Sequence, residues 1–172
     1  MTQLEDFRRD KDEFFVQDVQ SPLTDHQKLN FQGLKYFPEN SALRLVLPVE
    51  EFETKDKIKM PTSTGETQVY TRYGKIKFEV EGQLAELTVY ASRDGFFLPF
   101  VDSLVGKDTY GAGRYLEPEL ASAGKLLVDF NLAYNPYCAY NENWSCPITP
   151  AENRLKVPIR AGEKIFHTEG GE

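Results

Sequence analysis

The sequence predicts a mainly β fold, either an antiparallel β-barrel or a two-layer sandwich, led by N-terminal amphipathic helices; an α+β arrangement is the alternative. Three observations carry this. From residue 42 onward the apolar residues recur with period two instead of 3.6. Glycine, aspartate and proline cut that region into short runs of strand length. The 12 Phe, 9 Tyr and 40% hydrophobic content supply a packed core.

Thr2 followed by Glu5 matches a capping box, with Glu5 and Asp6 at the positive end of the helix dipole. Leu4, Phe7, Phe14 and Phe15 then share one face, while Arg8, Arg9, Asp10, Lys11 and Asp12 cover the other. This helix is expected to stop before Ser21-Pro22. A second capping box, Thr24 to Gln27, predicts a shorter helix through Leu29 to Phe31, ended by Gly33.

Residues 75–81 are the least ambiguous strand: Ile76, Phe78 and Val80 turn inward and Lys75, Lys77, Glu79 and Glu81 face water. Gly82-Gln83 offers a turn into 85–90, which makes a hairpin, with 68–73 as its upstream partner. Asp94-Gly95 marks the next turn and 96–101 the next strand, where Pro99 implies an edge or a bulge. Further strands are expected at 43–47, around Ile58, at 125–132 and at 155–159. One domain is expected over 1–172, with a helical segment at 1–33 packed on a β domain at 34–166, and a polar tail at 167–172.

Charge and hydropathy exclude several functions. Twenty basic against 27 acidic residues leave a formal charge of -7, which repels a phosphate backbone, so nucleic acid is not an expected partner. The sequence has no apolar run of the roughly 20 residues that span a bilayer, so no membrane partner is expected. The polar start Met1-Thr2-Gln3-Leu4-Glu5-Asp6 lacks the apolar core of a signal peptide, and a soluble, cytoplasmic protein is the expectation. Homo-oligomerisation is left open.

The stretch 102–154 is the expected working surface. Within 102–117, Tyr110, Arg114 and Tyr115 gather around Gly111-Ala112-Gly113. That string lacks the third glycine of a dinucleotide fingerprint and the Lys-Ser/Thr of a phosphate loop, so no nucleotide cofactor is indicated. Arg114 either presents its fork of donors to an anionic ligand or pairs with Asp102 or Asp129 to pin the loop. In 125–134 the alternation sets Val128, Phe130 and Leu132 on one face and Asp129 with Asn131 on the other. Asp129 is thereby a candidate base or hydrogen-bond anchor, or a solvent-facing residue of an edge strand.

The stretch 134–147 is the densest aromatic and amide patch. Tyr134, Asn135, Tyr137 and Trp144 suit ligand contact, and equally suit a loop that folds its own rings over the end of the β domain. Glu142 and Cys138 complete the candidate catalytic groups. Cys138 and Cys146 are separated by seven residues, unlike any redox or zinc spacing, and His26 and His167 lie far off in sequence, so no metal site is expected. Free, buried or half-buried thiols are expected, since a reducing cytoplasm disfavours a disulfide.

The strings Phe31-Gln-Gly-Leu-Lys-Tyr-Phe-Pro38, Asp108-Thr-Tyr-Gly-Ala-Gly-Arg-Tyr-Leu116, Asp129-Phe-Asn-Leu-Ala-Tyr-Asn-Pro136 and Glu152-Asn-Arg-Leu155 resemble the prokaryotic domain-of-unknown-function family 1684. The family's final loop often reads Cys-Pro-Leu-Pro-Pro, whereas this chain has Cys146-Pro-Ile-Thr-Pro150, one proline fewer. The resemblance implies no activity, cofactor or catalytic residue. The residues themselves favour a small-molecule-binding β domain that recognises an anionic ligand. A hydrolase using a carboxylate with Arg114 or Tyr110, and a protein-interaction module using the first helix or an edge strand, are the alternatives.

Overall fold

Two helices lead the chain in the computed structural model, which describes residues 2–166. Helix α1 spans Gln3–Gln17, with the Thr2 side chain accepting from the Glu5 amide at its N-terminus. Helix α2 spans only Asp25–Leu29, with both halves of the Thr24–Gln27 capping box made. It is shorter than expected because Asn30, and not Gly33, closes it. The tail expected at 167–172 lies outside the described residues.

Among the described residues nine strands follow: β1 (Arg44–Pro48), β2 (Glu50–Glu51), β3 (Lys57–Pro61), β4 (Thr67–Val80), β5 (Gln83–Ser92), β6 (Gly95–Phe100), β7 (Arg114–Leu116), β8 (Glu119–Ser122) and β9 (Lys125–Asp129). They form two antiparallel sheets, one ordered β1-β9-β8 and the other β2-β4-β5-β6-β7, with β3 also paired to β4. Residues 68–73 and 75–81 prove to be one strand, β4, interrupted by a register shift between Arg72 and Gly74. The β4-β5 turn sits one residue earlier than expected. Glu81 and Gly82 both take positive φ, 50° and 81°, the conformation that a two-residue hairpin loop demands.

Ile76, Phe78, Val80, Leu87, Val89, Leu98 and Phe100 of the larger sheet pack against Leu126, Val128 and Phe130 of and beside the smaller one, giving the layering of a sandwich. The expectation of a barrel is overturned. The chain crosses between the two sheets twice: after β1, where Pro48 has no amide hydrogen, Val49 donates to the Gly124 carbonyl at 2.9 Å and Glu50 joins β4, and again between β7 and β8. The outer edge of β7 is taken by an isolated bridge between Tyr115 and Tyr134, not by a strand that could close the sheet.

The strand expected over 125–132 stops at Asp129, whose side chain caps a 3-10 turn at Phe130–Leu132. The turn reverses the expected faces, so Asn131 is buried and Leu132 exposed. Among the described residues no strand forms at 155–159. There the Ile159 amide donates to Asp102 Oδ2 at 2.7 Å, a side chain in place of a ladder partner.

The lower edge of β6 has a similar substitution. Pro99 cannot donate to a ladder, and the pairing of β6 with β5 covers Gly95, Phe96 and Phe97 and goes no further. Asn153, fully buried, fills the gap with its amide: Oδ1 accepts from Thr88 N, and Nδ2 donates to the Thr88 and Pro99 carbonyls, all at 2.8 Å. Among the described residues no helix is long and apolar enough to cross a membrane.

Candidate functional site

The polar face expected on α1 is only partly a solvated one. Asp12 accepts from the Leu34 amide at 3.0 Å, and the Arg8 guanidinium lies 4.2 Å over the Tyr36 ring. Lys11 reaches the buried carboxylate of Glu163. Phe7, counted on the apolar face, is instead 47% exposed. Phe7 and Lys11, four residues apart on a helix, therefore share one side of α1 and overlook the 134–147 loop.

That loop is built to hold its rings open towards α1. The Tyr134 amide and carbonyl pair with Tyr115 of β7 at 3.0 and 2.8 Å. A 3-10 turn at Tyr137–Ala139 sends the Tyr140 ring inward, edge-on to Phe15 at 5.1 Å. The far end is fastened to β3 and the turn after it, where Ile148 N donates to the Pro61 carbonyl and Cys146 exchanges hydrogen bonds with Ser63. The Tyr115 hydroxyl closes the same end on the Pro147 carbonyl.

Between loop and helix lies a cleft of about 540 Å³. Tyr115, Tyr134, Tyr137 and Trp144 form its walls, Pro136, Cys146 and Pro147 its floor, and Phe7 and Lys11 its rim on α1. Tyr115 meets Tyr134 edge-on at 5.9 Å and Trp144 meets Tyr137 at 5.1 Å. Burial pushes the Tyr115 and Tyr134 hydroxyls well above the usual tyrosine range, so these walls stay uncharged. Lys11 Nζ stands 5.1 Å from the Tyr134 ring centre. Glu163, which holds it, also accepts from the Tyr140 hydroxyl at 2.6 Å and from the Asn135 amide at 3.0 Å.

The cleft thus collects Tyr115, Tyr134, Tyr137 and Trp144 from the expected site residues and leaves the others elsewhere. Arg114 faces the interior, where it donates to the carbonyls of Ile159, Ala161 and Glu163 and lies 3.7 Å from Asp102. Burial lowers its guanidinium to about 10, opposed by Asp102 and Glu163, so it remains a cation at neutral pH. Asp129 pairs with Arg44, and Asn131 clamps the backbone of Asn40, and none of these residues lines the cleft. Asn135 lies behind the cleft wall, its side chain donating to the Lys164 carbonyl. Tyr110 sits at Cys138, and Glu142 is exposed on the loop.

Sequence reasoning missed Phe7, Lys11 and Glu163. Periodicity assigned Lys11 to solvent, and only the way α1 docks turns it to the cleft. The one available signal was Glu163, the sole acidic residue of the 157–165 run.

Gly113 shapes the approach to Arg114. Its φ is +97°, and a Cβ there would stand 2.5 Å from the Phe100 carbonyl, whereas one on Gly111 would meet nothing. Gly113→Ala is therefore expected to lower stability by about 2 kcal/mol or more, and Gly111→Ala to change it by less than about 0.5 kcal/mol. Equal losses in urea denaturation would show that the close approach at Gly113 is not what sets the cost.

Residues 29–164 match the model of the family described as "Protein of unknown function (DUF1684)". The chain belongs to that family. A DUF1684-like fold is also seen in the solution NMR structure of an uncharacterised protein of Haloarcula marismortui, 34% identical, with a TM-score of 0.70 over 94% of this chain and 92% of that one. No curated protein matches the chain. The DUF1684 match takes in the 134–147 loop, Tyr115 and Glu163, while Phe7 and Lys11 on α1 precede it.

Proposed function

We propose that this DUF1684 chain is a small-molecule-binding β domain, and that its ligand is a flat molecule carrying one anionic group, bound in the cleft between α1 and the 134–147 loop. The observation that carries this reading is the combination of aromatic walls with a single cation, Lys11, around about 540 Å³. That volume falls within the range of ligand pockets, which pair apolar walls with a few placed polar groups. Phe7 and Trp144 are 47% and 37% exposed, apolar area that a stacked ligand would cover. Lysine has three N–H donors and Glu163 engages one, so Glu163 positions the ammonium while leaving it able to meet an anion.

The test is a titration of the protein with a panel of aromatic carboxylates, read by thermal shift and by the fluorescence of Trp144, the sole tryptophan. Saturable binding is expected for at least one. Lys11→Met should weaken it about ten- to hundredfold, the worth of one charge-assisted hydrogen bond, and Lys11→Arg should weaken it less. Tyr137→Leu should weaken it through loss of the wall. If no member of the panel binds, or if binding is indifferent to Lys11→Met and Tyr137→Leu, this reading is wrong.

A further inference from the structure

The two cysteines, unremarkable in their spacing, are brought together by the loop. The Cys138 amide donates to Cys146 Sγ at 3.2 Å, which places the Cys146 sulfur over the backbone of Cys138 and within reach of its side chain. The Tyr110 hydroxyl lies 3.8 Å from Cys138 Sγ on the other side. Both thiols are free, Cys138 half-buried and Cys146 buried. The environments differ in the sense that a nucleophile and a resolving thiol require: Cys138 is half-buried beside the Tyr110 hydroxyl, and Cys146 is buried.

We propose that Cys138 and Cys146 form a redox-active dithiol that reduces a hydroperoxide, with Cys138 as the nucleophile and Cys146 as the resolving thiol. Cys138 thiolate attacks the outer peroxide oxygen, forming an S–O bond as the O–O bond breaks; the departing alkoxide or hydroxide takes up a proton. Cys138 is then a sulfenic acid, two electrons oxidised. The Cys146 sulfur attacks the Cys138 sulfur, the S–O bond breaks, and the Cys146 proton leaves with the hydroxide as water. The disulfide that results accounts for both electrons given to the peroxide.

The ionisation of the pair agrees with this order. The Cys146 thiol donating to Cys138, against the opposing effect of burial and with help from Tyr110, draws Cys138 down to about 6. The same donation to Cys138, together with burial, pushes Cys146 up, so only one of the two is a thiolate at neutral pH. Once Cys138 carries the sulfenic oxygen it no longer holds that charge, and the Cys146 thiol is released to react. Cys146 also lines the aromatic cleft two residues from Trp144, so the disulfide would report on Trp144 emission. Dithiol chemistry does not depend on the ligand proposed for that cleft, and each test can fail without the other.

The test uses the reduced full chain and stoichiometric hydrogen peroxide. The expected product is a loss of two hydrogens confined to the tryptic peptide 126–154, which holds both cysteines, reversed by dithiothreitol and accompanied by a change in Trp144 emission. Its rate at neutral pH should exceed that of free cysteine by about tenfold and should rise with pH through about 6. Cys146→Ser should stop at a sulfenic acid on Cys138 that dimedone traps, and Cys138→Ser should react at the slow rate of a buried thiol. Alkylation of the wild-type chain by iodoacetamide across pH needs no variant: Cys138 should be modified first, with the same midpoint. Oxidation no faster than free cysteine, a disulfide formed only in urea, or Cys138→Ser reacting as fast as wild type would overturn the proposal.

Discussion

Replacing Arg114 with methionine is expected to remove about 3–5 kcal/mol of stability, because it leaves a buried charge without its partner. The guanidinium spans three carbonyls of 159–163 at 2.5 to 3.1 Å and stands beside Asp102, itself buried. The Phe100 ring lies 5.1 Å below it. Without Arg114 the three carbonyls lose their donor, and Asp102 keeps only the Thr109 hydroxyl and the Ile159 amide. Arg114→Lys should fall between, since one ammonium on a narrower stem does not span three carbonyls. At about 2–4 °C per kcal/mol for a domain of this size, the methionine variant should melt roughly 6–20 °C lower. Adding Asp102→Asn to Arg114→Met should recover part of the loss by removing the orphaned charge. A change below about 1 kcal/mol in urea denaturation would show that the guanidinium is dispensable.

Asn153→Ala is expected to be nearly as severe, about 3–4 kcal/mol, for a different reason. Its amide is a ladder rung where the strands do not supply one: Pro99 lacks the hydrogen, and Thr88, paired with Lys75 of β4, has no backbone pairing with β6. Removing it strands one donor and two acceptors away from water, each at a cost of about 1–3 kcal/mol if no solvent enters. Asn153→Asp, isosteric but without the donors, should do no better than alanine, because a carboxylate would face two carbonyl oxygens. Should the aspartate variant unfold at the wild-type urea midpoint, the rung is not what joins β5 to β6. Neither variant touches the cleft, so at temperatures where they remain folded both should keep any ligand affinity.

Local rules were enough wherever one residue's neighbours in sequence are also its neighbours in space. The Thr2–Glu5 and Thr24–Gln27 boxes mark the two helix starts because the partners lie within one turn. Residues 75–80 read correctly because a strand with one face buried has a strict period of two, and Lys75 and Lys77 do meet Glu86 on the outer face, whereas Glu81 falls in the turn. Errors came where a side chain replaced a backbone partner. Asp129 capping its own chain ended β9 early, and Asp102 taking the Ile159 amide displaced an expected strand. Pattern counts regular ladders and is blind to such substitutions.

The candidate site divides along the same line. The aromatic density of 134–147 is visible in the sequence, and the rings of Tyr134, Tyr137 and Trp144 do line one cleft with Tyr115. Arg114 and Asp129 drew attention through their charge, yet they sit in separate internal networks. Lys11 was hidden because a lysine among Arg8, Arg9, Asp10 and Asp12 looks like part of a solvated face.

By itself the sequence determined the mainly β class, the helix starts, the strongest hairpin and the aromatic character of the 134–147 loop, all consequences of spacings within a few residues. The tertiary structure alone decided that the sheets stay open as two layers, that Arg114 looks inward, that Lys11 meets Glu163 152 positions away, and that Cys138 and Cys146 touch. The reason is physical. Sheet closure depends on where strands end, and the use of a buried polar side chain depends on which distant backbone groups are left without partners. Neither quantity exists until the whole chain has packed.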